Sequence, residues 1–254
     1  MACDLQGRGI LITRAAHQAT GLIGLVESHN GRAIPFPALE IGSSRDPEAA
    51  RALLAQVWDL VIFISPNAVA FASELLDGAG LQSPLIAAVG AATARALRES
   101  GNPANLLPQG RYDSEGLLTL PELRQMGGRR VLIVRGEGGR PLLGDSLQAR
   151  GAKVEYAEVY RRLRPEVDPA SLLQRWSTQV DVVTATSADV LDNLLAMLGS
   201  QGRELLLGTP LLVISERMAQ RASAQGFGQL LQASGADDSA VFEALCDWVA
   251  GSGH

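Results

Sequence analysis

An internal echo limits the fold of this chain more than any other feature. Two short apolar runs, residues 10–13 and 131–134, each end in an arginine, Arg14 and Arg135, 121 positions apart. Each is followed by a helical stretch and a glycine, Gly31 or Gly151, 120 positions apart. Asp59-Leu-Val-Ile-Phe-Ile-Ser65 is answered 122 positions later by Asp181-Val-Val-Thr-Ala-Thr-Ser187, and residues 85–94 by 211–219, with Gly90 opposite Ser215. A register kept across strand, helix and return strand implies a duplicated structural unit. Duplicated domains usually face each other across a cleft.

Short β-branched runs at 9–13, 32–37, 59–64, 85–89, 130–134, 152–160, 180–184 and 210–214 alternate with helical spacing at 66–76, 91–99, 114–125, 142–150, 187–198, 216–225 and 239–249. That alternation predicts an α/β fold of parallel sheets flanked by helices. Ser65 followed by Pro66 reads as an N-cap and first helical residue, and Gly78, Gly101, Gly151 and Gly226 stand where C-caps belong. The stretches around Arg45-Asp46-Pro47 and Arg164-Pro165 are polar and proline-bearing, so they read as linkers. Two assemblies fit the echo, a tandem of adjacent halves or a crossed arrangement, and the linker positions favour the crossed one. It predicts a discontinuous domain, 1–38 with 168–254, and a central inserted domain, 45–160. Linkers at 39–44 and 161–167 would make a two-stranded β-ladder hinge.

At 254 residues the chain suits two domains of ordinary size, each able to bury its own core. The net charge of −5 argues against a nucleic-acid binder, and no apolar run is long enough to span a bilayer. The amino terminus lacks the regions of a signal peptide, so a cytoplasmic protein is expected. Cys3 and Cys246 lie near opposite ends of the sequence, which predicts two reduced thiols and neither a disulfide nor a metal knuckle. Lys153 is the sole lysine, so nearly every cation is an arginine. The plain reading of that bias is a GC-rich genome, with function reserved for arginines at strand ends.

In open α/β sheets ligands collect beyond the carboxyl ends of strands, where helix starts present free N–H groups. That rule selects Thr13, Arg14, Ser65, Asn67, Gly90, Arg135, Gly136, Gly138, Ser187 and Ser215 as candidate binding residues. Hydroxyls, glycines and arginines at helix starts suit an anion held largely by main chain, although each serine is also an ordinary N-cap. Gly136-x-Gly138-Gly139 resembles a dinucleotide fingerprint, but Pro141 takes the place of the third glycine. His17, His29 and His254 are scattered, which leaves no histidine-dependent triad and no His-rich metal site. The echo breaks at one informative place: aligning Gly31 with Gly151 sets Glu40 opposite Tyr160. A phenol at a strand end is a candidate proton donor to a leaving group, and equally a structural core residue.

Taken together, Leu11-Ile-Thr-Arg14, Phe63-Ile-Ser65-Pro-Asn-Ala-Val-Ala-Phe71, Ala88-Val-Gly90-x-x-Thr93-Ala, Val134-Arg135-Gly-x-Gly-Gly-Arg140, Val159-Tyr160-Arg161-Arg162 and Val213-Ile-Ser215-Glu-Arg-Met-Ala219 resemble the uroporphyrinogen-III synthase (HEM4-type) family over nearly the whole chain. The resemblance implies the crossed two-domain assembly with its active site between domains. It implies cofactor-free cyclisation of hydroxymethylbilane, with inversion of ring D, to uroporphyrinogen III and water. Tyr160 would be the catalytic group and the strand-end residues the carboxylate ligands. It is also compatible with a monomer that takes its substrate by handover from hydroxymethylbilane synthase. The sequence departs from the family where Ser215 and Met218 replace a glycine and a threonine common in relatives. Two other readings remain beside it: a non-catalytic carboxylate-binding module of the same fold, and a sugar or nucleotide transferase. The transferase is disfavoured because no acidic metal pair or phosphate loop stands at a strand end.

Overall fold

A computed structural model describes residues 3–251; His254 lies outside them. The chain separates into two compact units, 1–40 with 163–254, and 41–162.

The first unit is a parallel sheet built from β1 (Gly9–Ile12), β2 (Arg32–Pro35), β8 (Val182–Ala185), β9 (Leu211–Val213) and β10 (Leu230–Gln232), in the order β10-β9-β8-β1-β2. Helices α1 (Ala16–Ser28) and α10 (Asp238–Gly251) cover one face; α7 (Ala170–Gln179), α8 (Ala188–Leu207) and α9 (Glu216–Ala224) belong to the opposite layer. Strand alternation sorts the core. Ile10, Ile12 and Val182 pack with Leu22, Val241 and Leu245, whereas Leu11, Val183 and Ala185 pack with Trp176, Leu191 and Leu194. Strands buried on both faces read as unbroken apolar runs, which makes them conspicuous in the sequence.

The second unit repeats this plan. Its sheet contains β3 (Glu40–Ser43), β4 (Leu60–Phe63), β5 (Ile86–Ala88), β6 (Arg130–Gly136) and β7 (Lys153–Leu163), in the order β3-β7-β6-β4-β5. From β5 through β4 and β6 to β7, neighbouring strands pair in parallel. Helices α2 (Pro47–Leu54), α3 (Pro66–Leu76) and α4 (Ala91–Glu99) lie on one side, α5 (Ser114–Leu118) and α6 (Leu142–Ala149) on the other. The shared four-strand order is β9-β8-β1-β2 in the first unit and β5-β4-β6-β7 in the second. The echoed segments therefore occupy equivalent positions.

Several expectations need correction. The expected strand 152–160 continues to Leu163, and within the expected ladder segment 39–44 the strand is β3, the neighbour of β7. Pro121 divides the expected helix 114–125 into α5 and a 3-10 turn, because proline cannot extend the hydrogen-bond ladder. β2 stops at Pro35, with Pro37 just beyond, whereas its counterpart β7 runs for 11 residues. The expectation of two free thiols is overturned, since Cys3 and Cys246 form a disulfide. Sequence distance is a poor guide here: the amino-terminal segment and α10 belong to the same unit and bring the two Cα atoms to 5.7 Å, within bonding reach. Among the described residues no helix is long and apolar enough to cross a membrane.

Candidate functional site

Four helices start directly after strands with the same backbone geometry. Ser65, Gly90, Ser187 and Ser215 are the N-caps of α3, α4, α8 and α9, all extended with φ between −159° and −164°. The serine hydroxyls accept from the third helical N–H, of Ala68 and Val190 at 3.1 Å and of Met218 at 3.3 Å. Gly90 supplies no side-chain cap, leaving the first turn of α4 to another acceptor. Because β4 neighbours β5 and β8 neighbours β9, each unit places two helix starts side by side at the carboxyl end of its sheet. Paired helix starts concentrate positive dipole ends, an arrangement suited to carboxylates. The ends differ in charge: the first turns of α3 and α4 hold no acidic residue, whereas α8 carries Asp189 and α9 carries Glu216.

Tyr160 reaches this region through a defect in its strand. β6 and β7 pair in step up to Arg135 with Glu158, and then Gly136 pairs with Tyr160, so β7 holds one extra residue. Strict alternation would put Tyr160 on the face of Tyr156 and Glu158. The bulge turns it instead into the layer of Phe63, Ala68 and Val69, where it is 2% exposed. There its hydroxyl lies 3.2 Å from the Ser65 Oγ, and its ring centroid is 5.9 Å from that of Phe71. Gly136 permits the packing, because a Cβ at that position would lie 2.6 Å from ring atoms of Tyr160. Gly138 adopts φ +71°, and a Cβ on Gly139 would press on Arg135 at 3.1 Å. The glycine run is thus explained by a turn and two close approaches, without a dinucleotide.

Both strand-end arginines already have partners inside the protein. Arg14, 7% exposed, forms an ion pair with Asp238 at the start of α10, and its Nη2 donates to the Ala236 carbonyl at 3.3 Å. Arg135 donates to Glu158 at 2.9 and 3.2 Å and to the Gly139 carbonyl at 3.1 Å, and it stacks over Tyr156. Thr13 is wholly buried and donates its hydroxyl to the Thr184 carbonyl, tying β1 to β8. Asn67 is the second residue of α3, beside the Ser65 cap. Met218 packs into the core beside Ala222.

A cavity of about 270 Å³ opens beside β7, lined in part by Ser44, Arg45, Asp46, Glu137, Tyr156 and Glu158. Its three carboxylates make it a poor receptacle for an anion, and neither Ser65 nor Tyr160 is part of its lining. The paired helix starts carry the better chemistry. Among the described residues no cluster of three or more His, Cys, Asp or Glu is placed to hold a metal ion.

Comparison with known proteins places the chain in a family. The profile of the family described as Uroporphyrinogen-III synthase HemD (HEM4) matches residues 21–243. The uroporphyrinogen-III synthase of Escherichia coli K12 is 37% identical over 243 residues, 93% of this chain and 99% of that protein, and that of Salmonella typhimurium matches to the same extent. Among solved structures, a mutant uroporphyrinogen III synthase from Thermus thermophilus superposes with a TM-score of 0.59 at 23% identity, over 96% of this chain and 97% of that one. The uroporphyrinogen-III synthetase of Helicobacter pylori gives 0.59 at 16% identity, over 95% and 99%. These two likenesses establish the fold.

Proposed function

The chain belongs to the uroporphyrinogen-III synthase family, and from that premise we propose that it cyclises hydroxymethylbilane, inverting ring D, to uroporphyrinogen III and water. It is then a cofactor-free hydro-lyase. The observation that carries the site assignment is the juxtaposition of Tyr160 and Ser65, a phenol 3.2 Å from the cap of a helix start that lacks acidic residues. One group there can assist a leaving hydroxyl while the neighbouring main chain holds a substrate carboxylate.

In this reading the first turns of α3, α4, α8 and α9, with Ser65, Asn67, Gly90, Ser187 and Ser215, bind acetate and propionate carboxylates. Arg14, Arg135, Thr13, Gly136 and Gly138 shape the loops that present them. Tyr160, with Ser65 beside it, supplies a proton to the departing hydroxyl, which leaves as water and creates an azafulvene. Ring D attacks through its substituted carbon to form a spiro intermediate, which fragments and recloses. The proton lost from the unsubstituted carbon of ring D on reclosure balances the one taken up at the start. Holding the flexible chain folded is the larger task, so positioning by many weak contacts matters more than any single acid. Because the linear substrate also closes spontaneously to the type I isomer, handover from hydroxymethylbilane synthase in the cytoplasm to a monomeric acceptor suits this chemistry.

A non-catalytic carboxylate-binding module is the second reading, favoured by the near-complete burial of Tyr160. One assay separates them: supply fresh hydroxymethylbilane and identify the isomer after oxidation. The synthase reading expects type III, and type I alone would end it. For Tyr160→Phe we expect kcat to fall by about tenfold to a hundredfold at the type III product. Activity equal to the parent would remove the phenol from the chemistry.

A further inference from the structure

The disulfide joins positions separated by 243 residues, so it closes nearly the whole chain into a ring. Neither cysteine is sealed in the core; both are half-buried. Cys3 stands two residues before Leu5, which is buried against α1 and α10 and donates its N–H to the His29 carbonyl at 2.8 Å. Cys246 follows Leu245, one of the residues by which α10 is buried on the first sheet. Three other polar and aromatic contacts of α10 also reach the amino-terminal segment: Asp238 pairs with Arg14, Phe242 packs on His29 with ring centroids 4.5 Å apart, and Arg8 lies 5.6 Å over Trp248. All but one of these anchors are non-covalent, and the covalent one is chemically reversible.

We propose that Cys3–Cys246 is a reversible thiol–disulfide site, acted on by dithiol reductants, whose redox state sets how firmly α10 is held on the first unit. In the opening reaction a thiolate of the dithiol attacks one protein sulfur, the S–S bond breaks, and a mixed disulfide forms. The second thiol of the reductant then displaces the remaining protein thiolate. Two electrons and two protons pass to the protein, giving two cysteine thiols, and the dithiol leaves as its own disulfide. The reverse reaction, with an oxidised dithiol or glutathione disulfide, closes the bond. A cross-link over so long a loop removes much chain entropy from the open state, so its loss should be felt most at α10.

The test uses the full chain and needs no substrate, so its outcome is independent of the synthase reading. Thiols are titrated in denaturant and amide hydrogen exchange is followed in oxidised protein, in protein reduced with dithiothreitol, and in Cys246→Ser. We expect no titratable thiol before reduction and both cysteines afterwards. Amides of residues 240–250 should exchange at least about tenfold faster after reduction, while those of β4 and β6 keep their rates. Glutathione disulfide should restore protection, and Cys246→Ser should exchange as reduced protein does whether or not dithiothreitol is present, with one titratable thiol in place of two. The proposal is overturned by free thiols that glutathione disulfide leaves unpaired, or by equal protection of α10 in the two redox states.

Discussion

The two units use the same four-strand order and the same helix-start geometry, yet they differ where chemistry would occur. In the first unit the helix starts are capped by serine and partly neutralised by Asp189 and Glu216. In the second they hold no acidic residue, one cap is a glycine, and a bulge delivers a phenol to the other. The strand-end arginines differ too. Arg135 is paired within the repeat, by Glu158 of the adjoining strand, while Arg14 depends on Asp238, from a helix outside the echoed segments. The two units thus share the scaffold that presents main-chain donors and differ in the few side chains that set its charge and place a phenol beside it. Of the two pairs of helix starts, that of the second unit is the more electropositive.

The arginine pairs give the largest expected contrast. Arg14 is the more buried of the two, so Asp238→Asn should cost about 3 kcal/mol, the low end for a buried pair because Asp238 is itself 34% exposed. Glu158→Gln should cost only about 1 kcal/mol, since Arg135 keeps the Gly139 carbonyl and the Tyr156 ring. Urea unfolding of the full chain checks both, and equal losses would erase the distinction between the two arginines. Next comes Gly136→Ala. The equivalent position in the first unit is Ala15, which is accommodated there, but beside Tyr160 an added methyl should cost about 2 kcal/mol and displace the phenol. Loss of both stability and turnover is expected; full activity would mean that the bulge geometry is dispensable. The smallest effect is that of Ala91→Glu, which gives α4 the acidic residue that α9 has at Glu216. Stability should rise by about 0.5 kcal/mol through the helix dipole while KM rises several-fold. An unchanged KM would show that this helix start does not meet substrate.

The parts of the fold that are legible in the sequence are those set by local periodicity. Strands buried on both faces declare themselves as apolar runs, and the echo fixes which of them correspond. The linker signals double as helix starts. Asp46 with Pro47 is an N-cap and first residue, its carboxylate accepting from Ala49 at 2.9 Å, and Pro169 similarly precedes α7. β10 escapes notice because Leu230-Leu-Gln232 is short and only partly buried. Within the candidate site, the serine caps follow from residue type and position. The face on which Tyr160 lies does not, because a bulge changes alternation without leaving a mark in composition. The partners of Arg14 and Cys3, 224 and 243 residues away, are matters of tertiary closure that no spacing rule reaches.

The bond between Cys3 and Cys246 also bears on chain connectivity. A polypeptide joined at those positions and opened instead between residues 163 and 169 would run through the whole of the first unit, from α7 around to β2, before entering the second. The crossed chain and one that builds each unit from a single contiguous stretch are therefore two linear cuts of one circular path.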